Sequence, residues 1–193
     1  MFHRRTIPVT SFEQNCSLVW CDETNDAALI DPGGDIPRLL SAIKARGLNL
    51  KAIWLTHAHI DHAGATGTLA REFQLPIIGP HPEDQFWIDA LPQQSAMFGF
   101  PAAEHFAPTR WLHEGDTVQI GHCTLQVLHC PGHTPGHVVL FEPTTRHAFV
   151  GDVLFAGGIG RTDFPGGSHP TLINAIKTQL LPLGEERQYN PFL

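Results

Sequence analysis

The chain of 193 residues is long enough to bury one sizeable core, and 42% hydrophobic with 16% charged residues excludes the disordered and fibrous classes. A net charge of −7, from 12 basic and 19 acidic side chains, gives no field that attracts a phosphate backbone, so no nucleic-acid partner is expected. Arg4 and Arg5 have no apolar stretch behind them, and the reading is a single-domain cytoplasmic protein (1–193) with no signal peptide and no membrane partner.

The first third predicts strands leading into a helix. Asn15-Cys16-Ser17-Leu18-Val19-Trp20-Cys21 and Asp26-Ala27-Ala28-Leu29-Ile30 are joined by the turn-rich Asp22-Glu23-Thr24-Asn25, the pattern of a hairpin. Asp31-Pro32-Gly33-Gly34 breaks the second strand. Asp35 is placed to cap a helix whose Ile36, Leu39, Leu40 and Ile43 share one face, with Gly47 as its stop. Ala52-Ile53-Trp54-Leu55 then reads as a short strand covered on both sides.

Directly after it comes Thr56-His57-Ala58-His59-Ile60-Asp61-His62-Ala63-Gly64, with three imidazoles and a carboxylate in six positions. An extended strand end puts His57 and His59 on one side, and a turn into a helix brings Asp61 and His62 round to meet them. Neutral imidazoles and a carboxylate suit zinc or iron, and a loop held between strand and helix fixes their directions in advance.

Beyond this loop, Leu69, Ala70 and Phe73 predict one face of a helix whose start, at Gly64 and Gly67, approaches other backbone closely. Pro76-Ile77-Ile78-Gly79-Pro80 predicts a short strand. Pro82, Glu83 and Asp84 open a helix expected to bury Phe86, Trp87, Ala90 and Leu91, and 92–108 shows no period and reads as loop. Four short strands follow, at 117–120, 123–128, 137–141 and 146–150, the first two joined by the tight turn Gly121-His122. Pro170 starts a helix carrying Leu172, Ile173, Ile176 and Leu180 on one face. The repeated order of strands and helices predicts an α/β sandwich, two facing sheets with helices outside.

Two further segments carry ligand chemistry. Cys130-Pro131-Gly132-His133-Thr134-Pro135-Gly136-His137 places His133 in a rigid turn at a strand end, and Phe149-Val150-Gly151-Asp152 places a carboxylate where a sheet opens onto a cleft. The cysteines Cys16, Cys21, Cys123 and Cys130 lack zinc-ribbon spacing and read as packing residues. His81, His105, His113, His122 and His147 are scattered and read as ordinary loop and strand-end residues, and His129 and His137 as neighbours of the site rather than ligands.

Residues 56–64, the Pro-Gly-His-Thr-Pro-Gly run and Gly151-Asp152, in this order, resemble the metallo-β-lactamase superfamily. The loop Gly157-Gly158-Ile159-Gly160-Arg161-Thr162-Asp163-Phe164 is similar to that of its short glyoxalase II-like hydrolases. The resemblance runs from about Val9 onward. It implies a four-layer αβ/βα sandwich in which His57, His59 and His133 hold one metal, Asp61 and His62 a second, and Asp152 bridges both. Zinc is implied, as one or two ions, with iron or manganese as substitutes. The implied reaction is hydrolysis of an S-2-hydroxyacylglutathione, such as lactoylglutathione, by a metal-bound hydroxide that Asp61 also orients, in a monomer whose partner is that small thioester. Arg161 is placed to face an acidic group of the substrate or, equally, to pair with Asp163 and tie the loop.

The family pattern adds a His in a Gly-His-Gly-Pro turn after a late strand. Here Gly184 runs directly into Glu185-Glu186-Arg187-Gln188-Tyr189-Asn190-Pro191-Phe192-Leu193, so one strand and its metal-binding turn are expected to be missing from inside the chain and the second metal to bind more weakly. His169, the only His after Asp152, is not expected to replace it. Two alternatives are carried. His57, His133 and Asp152 could hold a single iron, as in a glutathione persulfide dioxygenase, whose loop also resembles Gly160-Arg161-Thr162-Asp163-Phe164, or the chain is an impaired copy that binds metal without turnover.

Overall fold

Alternation of side chains along the strands builds two sheets that share a core. In the computed structural model, which describes residues 1–183, β1 (Phe2–Val9), β2 (Gln14–Cys21), β3 (Asp26–Ile30), β4 (Asn49–Trp54) and β5 (Ile77–Ile78) form one sheet in that order. β1 to β3 pair antiparallel, whereas β4 joins β3 and β5 joins β4 in parallel. A second sheet, antiparallel throughout, runs β6 (Thr117–Ile120), β7 (Cys123–His129), β8 (Val138–Glu142) and β9 (His147–Phe149), and a small ribbon pairs β10 (Leu154–Phe155) with β11 (Gly158–Ile159).

The helices are α1 (Ile36–Lys44), α2 (Ile60–Ala63), α3 (Thr66–Phe73), α4 (Gln85–Asp89), α5 (Leu91–Phe98) and α6 (His169–Ala175). In β3, Ala28 and Ile30 face the second sheet with Val19 and Trp54, meeting Val118, Leu125, Val127 and Leu140. Ala27 and Leu29 turn the other way, to Leu39 and Ile43 of α1 and Leu69 of α3. On the far side of the second sheet, Val139 packs against Leu172, Ala175 and Ile176. The order is helix, sheet, sheet, helix, the expected four-layer sandwich. Both faces of the central strands are buried, and each fully covered Leu or Ile contributes about 1.5–3 kcal/mol.

The structure departs from the sequence reading in instructive places. β1 was not foreseen, because His3, Arg4 and Arg5 interrupt its apolar residues on the exposed side of an edge strand. The stretch 92–108 contains most of α5, which faces inward with polar side chains and so shows no apolar period. Gln94 accepts the Ile60 N–H at 2.9 Å and donates to the Trp87 carbonyl at 3.0 Å, while Ser95 donates to the Leu91 carbonyl at 3.0 Å. A 3₁₀ turn, Pro82–Asp84, precedes α4 and shifts its phase, so that Ile88 and Leu91 go in and Phe86 stays exposed. Phe73, at the end of α3, is also exposed.

Asp35 holds the N-cap position of α1 and its carbonyl accepts the Arg38 N–H at 2.8 Å, but its side chain makes no cap hydrogen bond. Its backbone is left-handed, with φ of 52°, and its carboxylate accepts the Thr10 N–H at 2.8 Å. The missing strand expected at Gly184 lies outside the described residues. Among the described residues β9 ends its sheet, and no helix is long and apolar enough to cross a membrane.

Candidate metal centre

The three sequence segments meet at one end of the sandwich, where β4 runs into residues 55–59, β7 into the turn before β8, and β9 into Asp152. The path from β4 to His57 is held by Asp31, the residue directly after the neighbouring β3. Asp31 Oδ1 accepts the Thr56 N–H at 2.8 Å and Oδ2 accepts the Thr56 hydroxyl at 2.6 Å. With its proton committed to Asp31, the Thr56 oxygen accepts Nδ1–H of His57 at 3.1 Å, which leaves His57 Nε2 as a bare lone pair. Asp31 Oδ2 also takes Nδ1–H of His62 at 3.0 Å. One carboxylate thus fixes the tautomer of His57 and orients His62, the usual task of a group behind metal-binding imidazoles.

His133 is set by the same logic. Its Nδ1 lies 2.7 Å from the Arg161 carbonyl, which only accepts, so Nε2 carries the lone pair, 3.0 Å from His59 Nδ1. The outer side of the cluster is acidic. Asp152 Oδ1 lies 3.1 Å from His62 Nε2 and Oδ2 lies 3.5 Å from His133 Nε2, while Asp61 Oδ2 is 3.5 Å from His62 Nε2. All six residues read from the sequence, His57, His59, Asp61, His62, His133 and Asp152, come together. His169 begins α6 on the exposed surface.

The donor set fits a metal. His57 Nε2 is buried with no hydrogen-bond partner, and two ring nitrogens, His59 Nδ1 and His133 Nε2, point at each other. His57, His59 and His133 offer ligand atoms within 4.8 Å of one another. A buried nitrogen left unpaired costs about 1–3 kcal/mol, which a shared cation removes. Burial first, and neighbouring imidazoles second, push His57 well below its ordinary value and His59 down to about 3, so both are neutral ligands. For Asp152, burial acts upward but His62 and His133 outweigh it and hold the carboxyl well below the usual range. Burial likewise acts against protonation of His62, yet Asp152 with Asp31 and Asp61 raises it well above 6.5. A dication beside Asp61 and Asp152 would take over that positive charge.

Two cavities open on the centre. One, of about 480 Å³, lies between β1, β2 and β9 and reaches Asp61, His62 and Asp152. The other, about 630 Å³, is walled by Trp87, Met97, Phe98, Phe155 and Phe164 and reaches His59, His133 and Asp152. Arg161 stands at this second opening in a two-bond pair with Asp163, at 2.9 and 2.7 Å, and its guanidinium lies 4.5 Å from the Phe164 ring centroid. The loop-tying alternative is the one the geometry displays.

Three supporting residues escaped the sequence reading. Asp31 was read only as part of a strand breaker. Asp84, read as a first-turn acid, turns inward and holds both metal-loop backbones. His137, weighed only as a neighbour, is buried, stacks on His57 and accepts the Asp152 N–H at 3.1 Å through Nε2. A signal existed only for His137, inside the ligand-bearing turn.

The chain matches the metallo-beta-lactamase superfamily over residues 9–189. The hydroxyacylglutathione hydrolase GloC of Haemophilus influenzae is 47% identical to it over 204 residues, which cover 97% of this chain and 96% of the relative. The aligned stretch exceeds the 193 residues present, so at least eleven of its positions have no counterpart in this chain. Among solved structures, the BLEG-1 B3 metallo-beta-lactamase superposes with a TM-score of 0.90 at 33% identity, covering 99% of both chains. TTHA1623 in a di-iron-bound form gives 0.87 at 35% identity, covering 98% of this chain and 100% of the other.

Proposed function

The chain belongs to the metallo-β-lactamase superfamily, and on that premise we propose that it hydrolyses S-2-hydroxyacylglutathione thioesters, such as lactoylglutathione, to a hydroxy acid and glutathione. The observation that carries this reading is the wall of oriented imidazoles, His57, His59 and His133, facing the Asp61 and Asp152 carboxylates at the meeting point of two cavities. We assign His57, His59 and His133 to one metal position, Asp61 and His62 to a second, and Asp152 to both, with zinc as the ion and iron or manganese as substitutes. When bound, such ions polarise a carbonyl and make hydroxide available near neutral pH.

The chain's own side chains do the rest. Asp61 has a carboxylate oxygen beside His62 Nε2 and is placed to accept a hydrogen bond from the attacking oxygen and orient it. Trp87 and Phe164 line the apolar cavity and keep water from the thioester side of the substrate, and Arg161, paired with Asp163, ties the loop at its mouth. In the reaction the acyl carbon gains the water oxygen, its bond to sulfur breaks, and the sulfur leaves as thiol with a proton from that water. We read the 193 residues as one catalytic unit acting as a cytoplasmic monomer on this small molecule.

Metal-replete protein offered lactoylglutathione is expected to release one thiol per thioester lost, and a strong chelator or His59→Ala should abolish the release. Oxygen uptake with glutathione persulfide and no thiol release from the thioester would instead assign the single-iron dioxygenase reading. Metal retention with neither activity would assign the impaired copy.

A further inference from the structure

A second group of ligand-type side chains lies outside this centre, on the back of the turn that carries His133. His81 and Glu83 flank the start of the 3₁₀ turn Pro82–Asp84, and His129 ends β7. Each offers one ligand atom, and the three atoms lie within 4.8 Å of one another. Glu83 Oε2 is 3.7 Å from His81 Nδ1 and 3.8 Å from His129 Nε2. The His81 ring stacks on His129 with centroids 4.2 Å apart, and His113, from a third segment, meets His81 edge-on at 5.0 Å. The two stacked rings are largely covered, whereas Glu83 and His113 are more than half exposed, so the group opens to solvent on one side.

We propose that His81, His129 and Glu83 form a surface site for a borderline dication such as zinc or nickel, separate from the buried centre. The ligand types are right: two imidazoles and a carboxylate suit these ions, with room left for water. The spacing is close to right as well. Tetrahedral ligands at about 2.1 Å from an ion stand roughly 3.4 Å apart, so two of the three separations need to close by only a few tenths of an ångström. Burial, with His129 beside it, lowers the affinity of His81 for a proton and keeps it a neutral ligand.

Three contacts set the strength of the site, the first being the Glu83 N–H that His81 Nδ1 accepts at 3.3 Å and that an ion bound there must displace. The His81 N–H donates to the Gly136 carbonyl at 3.1 Å, which fixes the chain next to the ligand. His129 Nε2 lies 2.9 Å from the Pro135 carbonyl and donates to it in the metal-free protein, so an ion must displace that proton to Nδ1 and open the ring stack. The affinity is therefore expected to be lower than that of the buried centre.

The test is equilibrium dialysis of zinc-replete protein against rising free zinc. Wild type is expected to take up one ion per chain more than His129→Gln, with Glu83→Gln weakening that uptake about tenfold or more. His105→Gln, which removes an exposed imidazole elsewhere, should match wild type. Superimposable isotherms for wild type, His129→Gln and Glu83→Gln would overturn the proposal. Circular dichroism and the metal content of the buried centre check that each variant is folded. If His129→Gln is not, Glu83→Gln decides alone, because its exposed side chain is dispensable for packing and an unchanged isotherm would sink the site.

Discussion

Asp84 Oδ2 accepts the N–H of Ala58, the residue between His57 and His59, at 3.1 Å. The same oxygen accepts the Thr134 hydroxyl at 2.9 Å, and Oδ1 accepts the Gly136 N–H at 2.7 Å. One buried carboxylate therefore ties the loop carrying His57 and His59 to the turn carrying His133, and it touches neither metal position.

Asp84→Asn tests that brace. An amide offers one acceptor where the carboxylate offers two and turns an NH₂ toward donors, so one buried N–H or hydroxyl loses its partner. Stability is expected to fall by about 1–3 kcal/mol in urea titrations. Zinc affinity should drop about 10- to 100-fold in competition with a chromophoric chelator. Unchanged affinity with lowered stability would make Asp84 a fold residue only.

His137 serves the other side of the centre. It stacks on His57 with ring centroids 4.6 Å apart and holds the Asp152 amide. His137→Phe keeps the stacked plane but leaves that amide without an acceptor. Asp152 is then free to shift, and kcat should fall about tenfold or more with KM little changed. His137→Gln, which restores an acceptor, should recover part of the loss, an outcome that mere packing would not produce.

Glycine spacing in the last loop gives a contrast between two neighbours. A Cβ on Gly160 would stand 1.7 Å from the Asp152 carbonyl oxygen and 3.2 Å from His133 Nδ1. Gly160→Ala must therefore move the Asp152 backbone and crowd the His133 ring, and both metal content and activity should collapse. Gly157 has φ of 72° and nothing within 4 Å of its added Cβ. Gly157→Ala should cost only about 1–2 kcal/mol of backbone strain and leave the metal content intact.

Which of these residues were visible in the sequence follows from how their roles are encoded. Five ligand-type residues sit in dense or rigid local patterns, H-x-H-x-D-H and Pro-Gly-His-Thr-Pro-Gly, so their chemistry shows in a few adjacent letters, and Asp152 shows as a carboxylate at an apolar strand end. Asp31 and Asp84 act across 25 or more positions of chain, on Thr56 and Ala58, and look locally like turn and first-turn acids. The core strands were legible because burial on both faces demands apolar letters. α5 was not, because Gln94 and Ser95 point inward to satisfy backbone groups, where a period of apolar residues would ordinarily signal the buried face.

Acid should weaken the metal-free fold, and the sign comes from the imidazoles. Burial lowers His57 and His137 well below 6.5, brings His59 down to about 3 and, with Arg4 nearby, His147 to about 4. A base depressed in the folded state contributes stability that is present above about 6.5 and lost as pH falls toward its folded value, because the unfolded chain takes the proton more readily. His62, raised, works in the opposite sense, and Asp84, which burial raises to about 6, opposes the trend below that pH. With chelator present, the urea midpoint is expected to fall between pH 7 and pH 6. His147→Gln should flatten that slope, since His147 is half-buried and is not among the assigned ligands.

Exposure separates the two metal positions. His57, His59 and His133 are each no more than 8% exposed and His62 is 3% exposed, whereas the Asp61 side chain is 19% exposed and, with that of Asp152, which we assign to both positions, at 26%, faces the cavity beside β9. On our assignment the outer ion has only Asp61 and His62 with a share of Asp152, fewer protein ligands than its neighbour, and water reaches it directly. Under a graded chelator challenge it should leave first. Metal content per chain is then expected to fall in two stages, with thioester hydrolysis lost in the first and most of the metal-dependent stability in the second. A single stage, in which metal, activity and stability fall together, would show that the two positions bind as one unit and that the open cavity beside β9 does not weaken the outer one.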